Sequence, residues 1–524
     1  MGDARRGGAQ RNAALWVLAF GAIGVALLAR NLLGLDRTPP GMYVDEASIG
    51  YNAWAIAHYG VDEHGFHLPL YFQAFGEYKN PLYIYTLVPF LRVLPVTATV
   101  ERLPAVVFGV IAVLFISLAA WRISRSRGVT LFVAALAALT PWLTQESRVG
   151  FEVIALVATM AVAVWCLADD SRVSPARFAL AGVFLAISIF AYSAGRLEIL
   201  LFAVAFALVY RHRRQWWLAL VPVVAGYAVL GVWSLQHPGA LTAEFSVVNI
   251  GTDHPTLPAL AGRFLSNYIQ FFSPDFLFIH GDANLRHNTG YAGMLLAVML
   301  PLLLLGLWAC WKRRAELLPR FTLLCLLLGP VAGALTYPVP HALRGAIMLP
   351  FLFVLAAYGM GSIRTITARR PVIPALLTAA LVVQGALYTV DMYTSYPVRA
   401  GEAFDTGAVP AVLAAAQAAN GHTVYISSTL NEQPYIDAFV ALLPPPPTSP
   451  ASDSSGRGLD MLGVRVSDPS AAEQSAQPGD VLVLGPSDPP PRTSAQVIDT
   501  ERAPVDPLAP QASPRTLVIV YRLA

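Results

Sequence analysis

Long apolar runs, separated by short polar connections, fill most of the chain between residues 13 and 392. A transmembrane helix needs about 20 consecutive apolar residues, and most of the runs approach that length. We therefore predict about eleven membrane helices, with the count open by one around residues 176–210. The runs lie at residues 13–35, 101–121, 129–145, 150–168, 176–194, 197–210, 215–235, 291–311, 320–337, 343–363 and 371–392.

The charged residues are few and sorted by position. They make up 13% of the chain, against about 25% in soluble proteins, and 56% of the chain is hydrophobic. The basic residues stand in short scattered clusters, which argues against a nucleic-acid partner. The three cysteines, Cys166, Cys310 and Cys325, lie inside apolar runs, so the sequence contains no disulfide framework or cysteine metal motif.

Basic clusters fall at every second connection, which predicts the topology. They read "ARRGGAQR", "WRISRSRG", "DDSRVSPAR", "YRHRRQ", "WKRRAELLPR" and "RTITARR". Because cytoplasmic loops carry the excess of Lys and Arg, we predict a cytoplasmic N-terminus and an outer C-terminus. The membrane domain then spans residues 1–393, with long outer loops at about 36–100 and 236–290.

The tail at residues 394–524 has a different pattern. Short β-branched segments, "TVYISS", "VLVLG" and "TLVIVYRL", alternate with Pro-rich stretches. This pattern predicts a small extracytoplasmic α/β domain. It contains no phosphate-binding glycine motif, so a structural or acceptor-docking role is the simplest expectation.

The first outer loop contains an adjacent acidic pair in "MYVDEASIGYNAWAI", namely Asp45 and Glu46. Such residues could simply cap the following helix and favour its dipole. Adjacent side chains on a helix also point about 100° apart, so one could face a cavity while the other supports a neighbour. A second charged pair, Glu77 and Lys79, lies further along the same loop. A lysine among acids is a good phosphate ligand.

These features together indicate one reaction, the transfer of a sugar from a lipid-linked donor. The acids can remove a proton, the cations can bind phosphate, and the site faces the lipid. A carboxylate would deprotonate an acceptor hydroxyl or amine as it attacks the sugar of a polyprenyl-phosphate donor. A cation would stabilise the leaving lipid phosphate. The expected partners are this donor, membrane lipids and a lipid, glycan or protein acceptor, and no cofactor is required.

Several segments resemble one family of membrane enzymes. They are "DEASIGYNAWAIAHYGVDEHGFHLPLYFQAFGEYKNPLYIY", "TPWLTQESRVGFE", "HGDANLRHNTGYAGMLLAVMLPLLLLGL" and "YPVPHALRGAIMLPFLFVLAAYG". The resemblance covers roughly residues 13–365 and is to the GT-C membrane glycosyltransferases. It is strongest to bacterial members of the protein O-mannosyltransferase superfamily, which includes the lipid A aminoarabinose transferase. It implies a polytopic GT-C fold in the bacterial plasma membrane. Direct displacement of the lipid phosphate would invert the anomeric centre.

The resemblance also implies roles for individual residues. Asp45 matches the catalytic acidic position and Glu46 its partner. Lys79 matches a residue that contacts the donor phosphate, although Asn80 here stands between Lys79 and Pro81, which departs from the family's Lys-Pro or His-Pro order.

Arg148 and Arg344 lie where the family places further donor-binding groups. From the residues alone, Arg148 could equally pair with Glu146 or extend to the interface. Arg196 is another outer arginine, for which we predict a structural pair with Glu198.

Two polar loop segments leave alternatives open. In "HGDANLRHNTGY", Asp282, Arg286 and His287 could line the acceptor entrance, together with Glu77, or belong to a solvated loop. The segment "DEHGFHLPL" could bind a metal through carboxylate and imidazole groups, but it also fits an ordinary polar turn, and we predict no metal site.

Two other classes of protein compete with the enzyme. A transporter or flippase would place acidic residues at mid-membrane depth, where the apolar runs have almost none, and would show inverted repeats. A non-catalytic assembly protein on the same fold would not need Asp45.

Overall fold

The computed structural model describes residues 2–169, 173–366, 372–450, 459, 462–505, 507 and 513–524. Each predicted apolar run contains helix, although in the run at 291–311 the helix begins only at Met299. In chain order the first elements are α1 (Gly2–Leu32), α2 (Val44–Tyr59), β1 (Phe72–Ala74), β2 (Glu77–Lys79), α3 (Pro81–Leu91), α4 (Ala98–Glu101), α5 (Leu103–Ser124), α6 (Arg127–Leu139), α7 (Pro141–Glu146), α8 (Val153–Leu167), α9 (Pro175–Ile189), α10 (Gly195–Tyr210) and α11 (Trp217–Gln236).

The remaining helices of the membrane part are separated in places by three short single-turn segments, namely Ala240–Thr242, Asp275–Ile279 and Ala346–Met348. They are α12 (Ala243–Val248), α13 (Leu257–Gln270), α14 (Met299–Lys312), α15 (Leu317–Leu328), α16 (Val331–Ala334), α17 (Ala342–Gly345), α18 (Leu349–Ile366) and α19 (Val372–Tyr393).

Five helical segments of the described residues are long and apolar enough to cross a membrane. They are Ala98–Ser124, Trp217–Gln236, Leu317–Ala334, Ala342–Ile366 and Val372–Tyr393. The most apolar stretch of α19 is only 17% buried and that of α11 only 28%, so both present apolar surface outward, as lipid contact requires. The mainly helical membrane architecture is confirmed, whereas the count of eleven and the orientation of the termini stay predictions.

The helices pack most closely where glycine replaces a side chain. A Cβ atom at Gly306 of α14 would lie 2.0 Å from the carbonyl oxygen of Leu355 in α18. A Cβ atom at Gly359 of α18 would lie 2.0 Å from the carbonyl oxygen of Leu302 in α14. The two backbones therefore touch through a reciprocal glycine contact, as is common between membrane helices.

The tail folds into a sheet packed with helices, which confirms the predicted small α/β domain. The elements are α20 (Ser395–Ala400), α21 (Ala408–Ala419), β3 (Val424–Ser427), α22 (Pro434–Leu442), β4 (Val464–Ser467), α23 (Pro469–Ser475), β5 (Val481–Leu484), β6 (Ala495–Arg502) and β7 (Thr516–Leu523). The five strands among the described residues stand in the order β4-β3-β5-β7-β6, with β3 parallel to β4 and β5, and β7 antiparallel to β5 and β6.

The first outer loop is compact and largely buried. Helix α2 begins where the backbone N–H of Tyr43 donates to Glu46 Oε2 at 3.2 Å, and it ends at Gly60, whose φ of 73° favours glycine. The strands β1 and β2 form an antiparallel hairpin that delivers Lys79 to the start of α3. Helix α2 packs on α3 and on α22 of the C-terminal domain, so loop and domain enclose the region beside Asp45.

Candidate active site

A cavity of about 490 Å³ lies where the outer loops meet the C-terminal domain. Six of the residues that the sequence singled out line it together: Asp45, Glu77, Lys79, Arg286, His287 and Arg344. Three further carboxylates and one further imidazole also line it: Glu152, Glu244, Glu432 and His341. The cavity therefore collects groups separated by almost 400 residues of sequence.

Lys79 lies at the centre of an acidic group in this cavity. Its Nζ donates to Asp45 Oδ1 at 2.7 Å and to Glu77 Oε1 at 3.3 Å. The lysine side chain is 5% exposed, whereas that of Asp45 is 34% exposed and open to the cavity. Burial alone would lower the pKa of the Lys79 ammonium, but the carboxylates of Asp45, Glu77 and Glu152 more than compensate and raise it, so the ammonium stays charged.

Asn80 attaches this segment to the next outer loop. Its backbone N–H and its Nδ2 both donate to Glu152, with the second contact at 2.9 Å. Arg196 Nη2 in turn donates to Asn80 Oδ1 at 3.0 Å, and the guanidinium stands 4.8 Å from the ring centre of Tyr71. The inserted asparagine thus holds Lys79 in place through Glu152 and Arg196.

The predicted pair between Arg196 and Glu198 is wrong. Arg196 turns to Asn80 instead, while both carboxylate oxygens of Glu198 are buried without a hydrogen-bond partner among the described residues. Two residues of separation on α10 place the side chains on different faces of the helix, which explains the difference.

Glu46 lies behind Asp45 and is fully buried. Arg102 binds it with two nitrogens, Nε to Oε1 and Nη2 to Oε2, each at 2.7 Å. The backbone N–H of Gly150 donates to Glu46 Oε1 at 2.8 Å. Glu46 therefore joins the loops that carry Asp45 and Glu152, while Asp45 faces the cavity.

Arg148 lies away from the cavity, only 1% exposed. Its guanidinium donates to the carbonyl oxygens of Arg30, Leu33 and Thr38, at and beyond the C-terminal end of α1. The ring of Tyr393 stands 5.2 Å away. In this structure Arg148 connects α1 to the first outer loop and does not pair with Glu146.

Arg344 stands where the polar cavity meets an apolar one. Its Nη1 donates to Thr336 Oγ1 at 3.0 Å and to the carbonyl oxygen of Tyr337 at 2.9 Å, and its Nη2 lies 3.4 Å from Glu244 Oε1. The second cavity, of about 330 Å³, has mostly apolar walls, including Leu197, Leu230, Leu241, Phe245, Val248 and Leu335. Arg344 lines both cavities.

His287 and His341 line the polar cavity next to each other, with their ring centres 4.6 Å apart. Asp282 Oδ2 accepts from the backbone N–H of Ala342 at 2.7 Å and from His287 Nδ1, when that nitrogen is protonated, at 2.9 Å. Burial would raise the pKa of the Asp282 carboxyl, but these hydrogen bonds lower it. Burial, with the nearby positive charges, holds the pKa of His341 well below its usual value, so this imidazole is neutral.

Asp282, His287 and His341 each offer one metal-ligating atom, all within 4.8 Å of one another. Both oxygens of Asp282 already accept protein hydrogen bonds, since Oδ1 binds the backbone N–H of Asn284. Asp282 and His287 are therefore satisfied as a hydrogen-bonded pair, whereas Nδ1 of His341 is buried without a hydrogen-bond partner among the described residues.

The segment that begins at Asp62 forms a polar turn. Asp62 Oδ1 accepts from the backbone N–H groups of His64 and Phe66, at 3.0 and 2.8 Å. Glu63 is held by Asn52 of α2 and is 1% exposed. This is the polar-turn alternative that the sequence offered for the segment.

The C-terminal domain completes the cavity through Glu432. Its Oε2 accepts from the hydroxyl of Tyr43 at 2.7 Å, and its Oε1 lies 3.5 Å from Arg286 Nη1. The Arg286 guanidinium stacks 3.9 Å from the ring centre of Tyr43. Sequence reasoning missed Glu432 because nothing in "STLNEQPY" marks it, whereas Glu152 closes the quoted segment "TPWLTQESRVGFE" and could have been found there.

The comparisons with known proteins found similarity in structure alone. No family model matches the chain, and no curated protein matches it by sequence. Its structure is similar to that of ArnT from Cupriavidus metallidurans in the apo state, with a TM-score of 0.58 and 14% identity over 97% of this chain and 98% of that one. The same protein bound to undecaprenyl phosphate gives a TM-score of 0.57 with the same identity and coverage.

An oligosaccharyltransferase from Archaeoglobus fulgidus, in complex with Zn and sulfate, shares the fold more distantly. Its TM-score is 0.50 at 14% identity, over 89% of this chain and 68% of that chain. Similarity at this level of identity carries information on fold, and it covers the membrane helices and the C-terminal domain together. The chain therefore has the GT-C fold of membrane glycosyltransferases, as its sequence segments indicated.

Proposed function

We propose that this protein is a membrane glycosyltransferase that transfers a sugar from a polyprenyl-phosphate-linked donor to an acceptor at the outer face of the bacterial plasma membrane. The observation that carries the proposal is the position of Arg344. Arg344 lines both the apolar cavity of about 330 Å³ and the polar cavity that Asp45 lines. A lipid-linked sugar phosphate has the same order of parts, with an apolar chain, an anion and a polar sugar.

In the proposed complex, the first isoprene units of the donor lie in the apolar cavity and its phosphate lies against Arg344. Lys79 approaches the phosphate from the other side. The sugar then occupies the polar cavity that Lys79 and His287 both line. Two cations on a leaving phosphate lower the barrier, because its negative charge develops in the transition state.

Asp45 is the proposed general base. Among the described residues, its carboxylate takes one side-chain hydrogen bond, from Lys79 to Oδ1, and the side chain is 34% exposed. Its other oxygen is therefore available to an acceptor hydroxyl or amine. The acceptor loses its proton to Asp45 and bonds to the anomeric carbon, while the bond from that carbon to the phosphate oxygen breaks. Attack opposite the leaving phosphate inverts the anomeric centre.

The first experiment compares wild type with Asp45→Asn in lipid nanodiscs. Both are incubated with a panel of radiolabelled polyprenyl-phosphate sugars and a membrane extract as the source of acceptor. We expect sugar release or transfer by the wild type and a loss of at least about a hundredfold in Asp45→Asn. Asp253→Asn, which removes an exposed carboxylate of the second outer loop, should retain activity.

The same experiment separates the rival classes. A transporter or flippase would move the labelled lipid across the bilayer of a vesicle without breaking its sugar–phosphate bond. A non-catalytic assembly protein would release or transfer no sugar from any donor, in the wild type and in Asp45→Asn alike. Either result would contradict the proposed reaction.

A further inference from the structure

We propose that the face of the membrane domain opposite the active site binds the headgroup of one anionic phospholipid. The binding site is a cavity of about 700 Å³ where α5, α14 and α18 end and α6 begins. We call it the basic cavity, because Arg125, Arg313 and Arg364 line it. It lies far from Asp45, since α5 begins directly after Arg102 and its 22 residues span about 33 Å before they reach the cavity. The inference does not depend on the proposed function, because it involves no donor, acceptor or transfer.

Three of the six basic clusters in the sequence meet at this cavity. Arg125 belongs to "WRISRSRG", Arg313 to "WKRRAELLPR" and Arg364 to "RTITARR". The predicted topology explains why these arginines lie on one side of the membrane, but it does not require them to line one cavity. The fold brings them there, and Arg364 Nη1 donates to Ser126 Oγ, 238 residues earlier in the chain.

Each of the three guanidinium groups keeps donors for a ligand. Arg125 Nη2 donates to Asp169 Oδ2 at 2.7 Å, and Arg313 binds Glu316 through Nε and Nη2 at 2.7 and 2.8 Å. Arg364 has no carboxylate partner among the described residues. Because a guanidinium carries five donor hydrogens, these contacts leave several of them unused. Arginine binds phosphate oxygens well, often through two parallel hydrogen bonds.

The surroundings of the arginines favour an anion. Among the described residues, no carboxylate lines the basic cavity. The pairs with Asp169 and Glu316 are partly exposed, so water and salt screen them. Helix α6 begins at the cavity after its N-cap Ser126, and the positive end of its dipole adds to the field of the arginines. The basic cavity is therefore a positively charged site with room for a ligand.

The apolar part of the lining indicates a lipid and not a soluble anion. Trp308 and Ile366 line the cavity and are 54% and 69% exposed. Tryptophan is enriched at the depth of lipid headgroups. Ile123, Val129 and Ala357 add an apolar wall that suits the first carbons of acyl chains and that a free phosphate ion would not contact. Basic pockets between the ends of membrane helices commonly bind anionic headgroups.

The binding test titrates the full-length protein in detergent with phosphatidylglycerol and counts the bound lipids by native mass spectrometry. We expect the wild type to bind one phosphatidylglycerol tightly. Arg313→Gln/Arg364→Gln should bind it at least about tenfold more weakly, because the loss of a single hydrogen bond to a charged group has an effect of this size.

Two further variants make this test specific. Arg211→Gln/Arg214→Gln removes two arginines of "YRHRRQ", which lie on the same predicted side of the membrane but do not line the cavity, and it should bind like the wild type. Gly361→Trp keeps every arginine and introduces an indole at a lining residue where a Cβ atom meets nothing within 4 Å. It should also lose at least about tenfold in affinity, and it decides the question if the arginine variant does not fold.

Thermal unfolding in detergent distinguishes the sources of the phosphate group. A ligand that binds only the folded state raises the unfolding temperature. We expect phosphatidylglycerol to raise it in the wild type, whereas phosphatidylcholine and an excess of inorganic phosphate should not. Without added lipid, the unfolding temperatures of the variants show whether each one is folded.

Three results would overturn the inference. Wild-type affinity for phosphatidylglycerol in Gly361→Trp or in a folded Arg313→Gln/Arg364→Gln would show that the cavity is not the binding site. An equal loss in Arg211→Gln/Arg214→Gln would show a diffuse attraction to the basic surface. Equal stabilisation by inorganic phosphate would show a site for a soluble anion.

Discussion

Two adjacent acids in one helical turn have different surroundings in this protein. Asp45 faces the cavity, and Glu46 turns into the protein to meet Arg102. The angle between neighbouring side chains on a helix predicted that the two would diverge, but not which would face which way. That choice depends on Arg102, which lies 56 residues further along the chain, and such long-range pairing leaves no local pattern.

Breaking the pair between Glu46 and Arg102 should destabilise the whole protein. Arg102→Met leaves the Glu46 carboxylate buried without its cation, and it removes donors to the carbonyl oxygens of Leu35 and Pro39. We expect a loss of about 3–5 kcal/mol, seen as a large drop in the thermal unfolding temperature in detergent.

The exposed pair of Arg263 with Asp253 provides the control for this prediction. Arg263→Met should change the unfolding temperature little, because water and salt screen the attraction within an exposed pair. Equal effects of the two substitutions would contradict the structural role of Arg102.

At the scale of elements, apolar runs predicted the positions of the membrane helices well, because lipid requires a continuous apolar stretch whose backbone is satisfied internally. The five-stranded sheet was predicted less completely. The inner strands β3, β5 and β7 have β-branched patterns, whereas β4 ("VRVS") and β6 ("AQVIDTER") are the two edge strands and carry polar or charged residues. The helix contacts were not predicted either, since a glycine in an apolar run does not reveal its partner.

The contact between α14 and α18 gives a test at this scale. Gly359→Leu would force a side chain against the backbone of Leu302, where the Cβ atom alone would come within 2.0 Å. We expect the helices to separate, which should lower the free energy of unfolding by about 3 kcal/mol or more. Thermal unfolding in detergent measures this loss.

Gly361, two residues further along α18, is the matched control, because a Cβ atom there meets nothing within 4 Å. Gly361→Leu should unfold at about the wild-type temperature. A similar loss at both positions would show that helix propensity or hydropathy, and not the contact between α14 and α18, decides the effect.

The whole molecule is one assembly of membrane helices, outer loops and C-terminal domain around the cavity. The domain reaches the first outer loop through polar contacts that include Tyr51 to the carbonyl oxygen of Pro444 at 2.6 Å, besides the Glu432 contacts of the cavity wall. The sequence indicated this domain but offered no reason to place it at the active site. The contacts join residues almost 400 positions apart, far beyond the range of any sequence pattern.

Three carboxyl groups in this interface should make its stability depend on pH. Burial raises the pKa of Glu63 and of Asp437 to about 7, and that of Asp405 to about 8, with Asp437 adding to the shift of Asp405. Unfolded carboxyls of these types titrate near pH 4. Between about pH 4 and 8 the folded state therefore holds more protons than the unfolded state, so stability falls as pH rises through this window and levels off above about pH 8.

We expect the thermal unfolding temperature of the wild type in nanodiscs to decrease from pH 5.5 to pH 8.5. Asp405→Asn/Asp437→Asn removes two of the three groups, so the double variant should have a flatter profile and exceed the wild type most at pH 8.5. Asp253→Asn, which changes an exposed carboxylate, should follow the wild-type profile. A wild type whose stability rose over this range would show that these carboxyls are charged in the folded protein and would contradict the prediction.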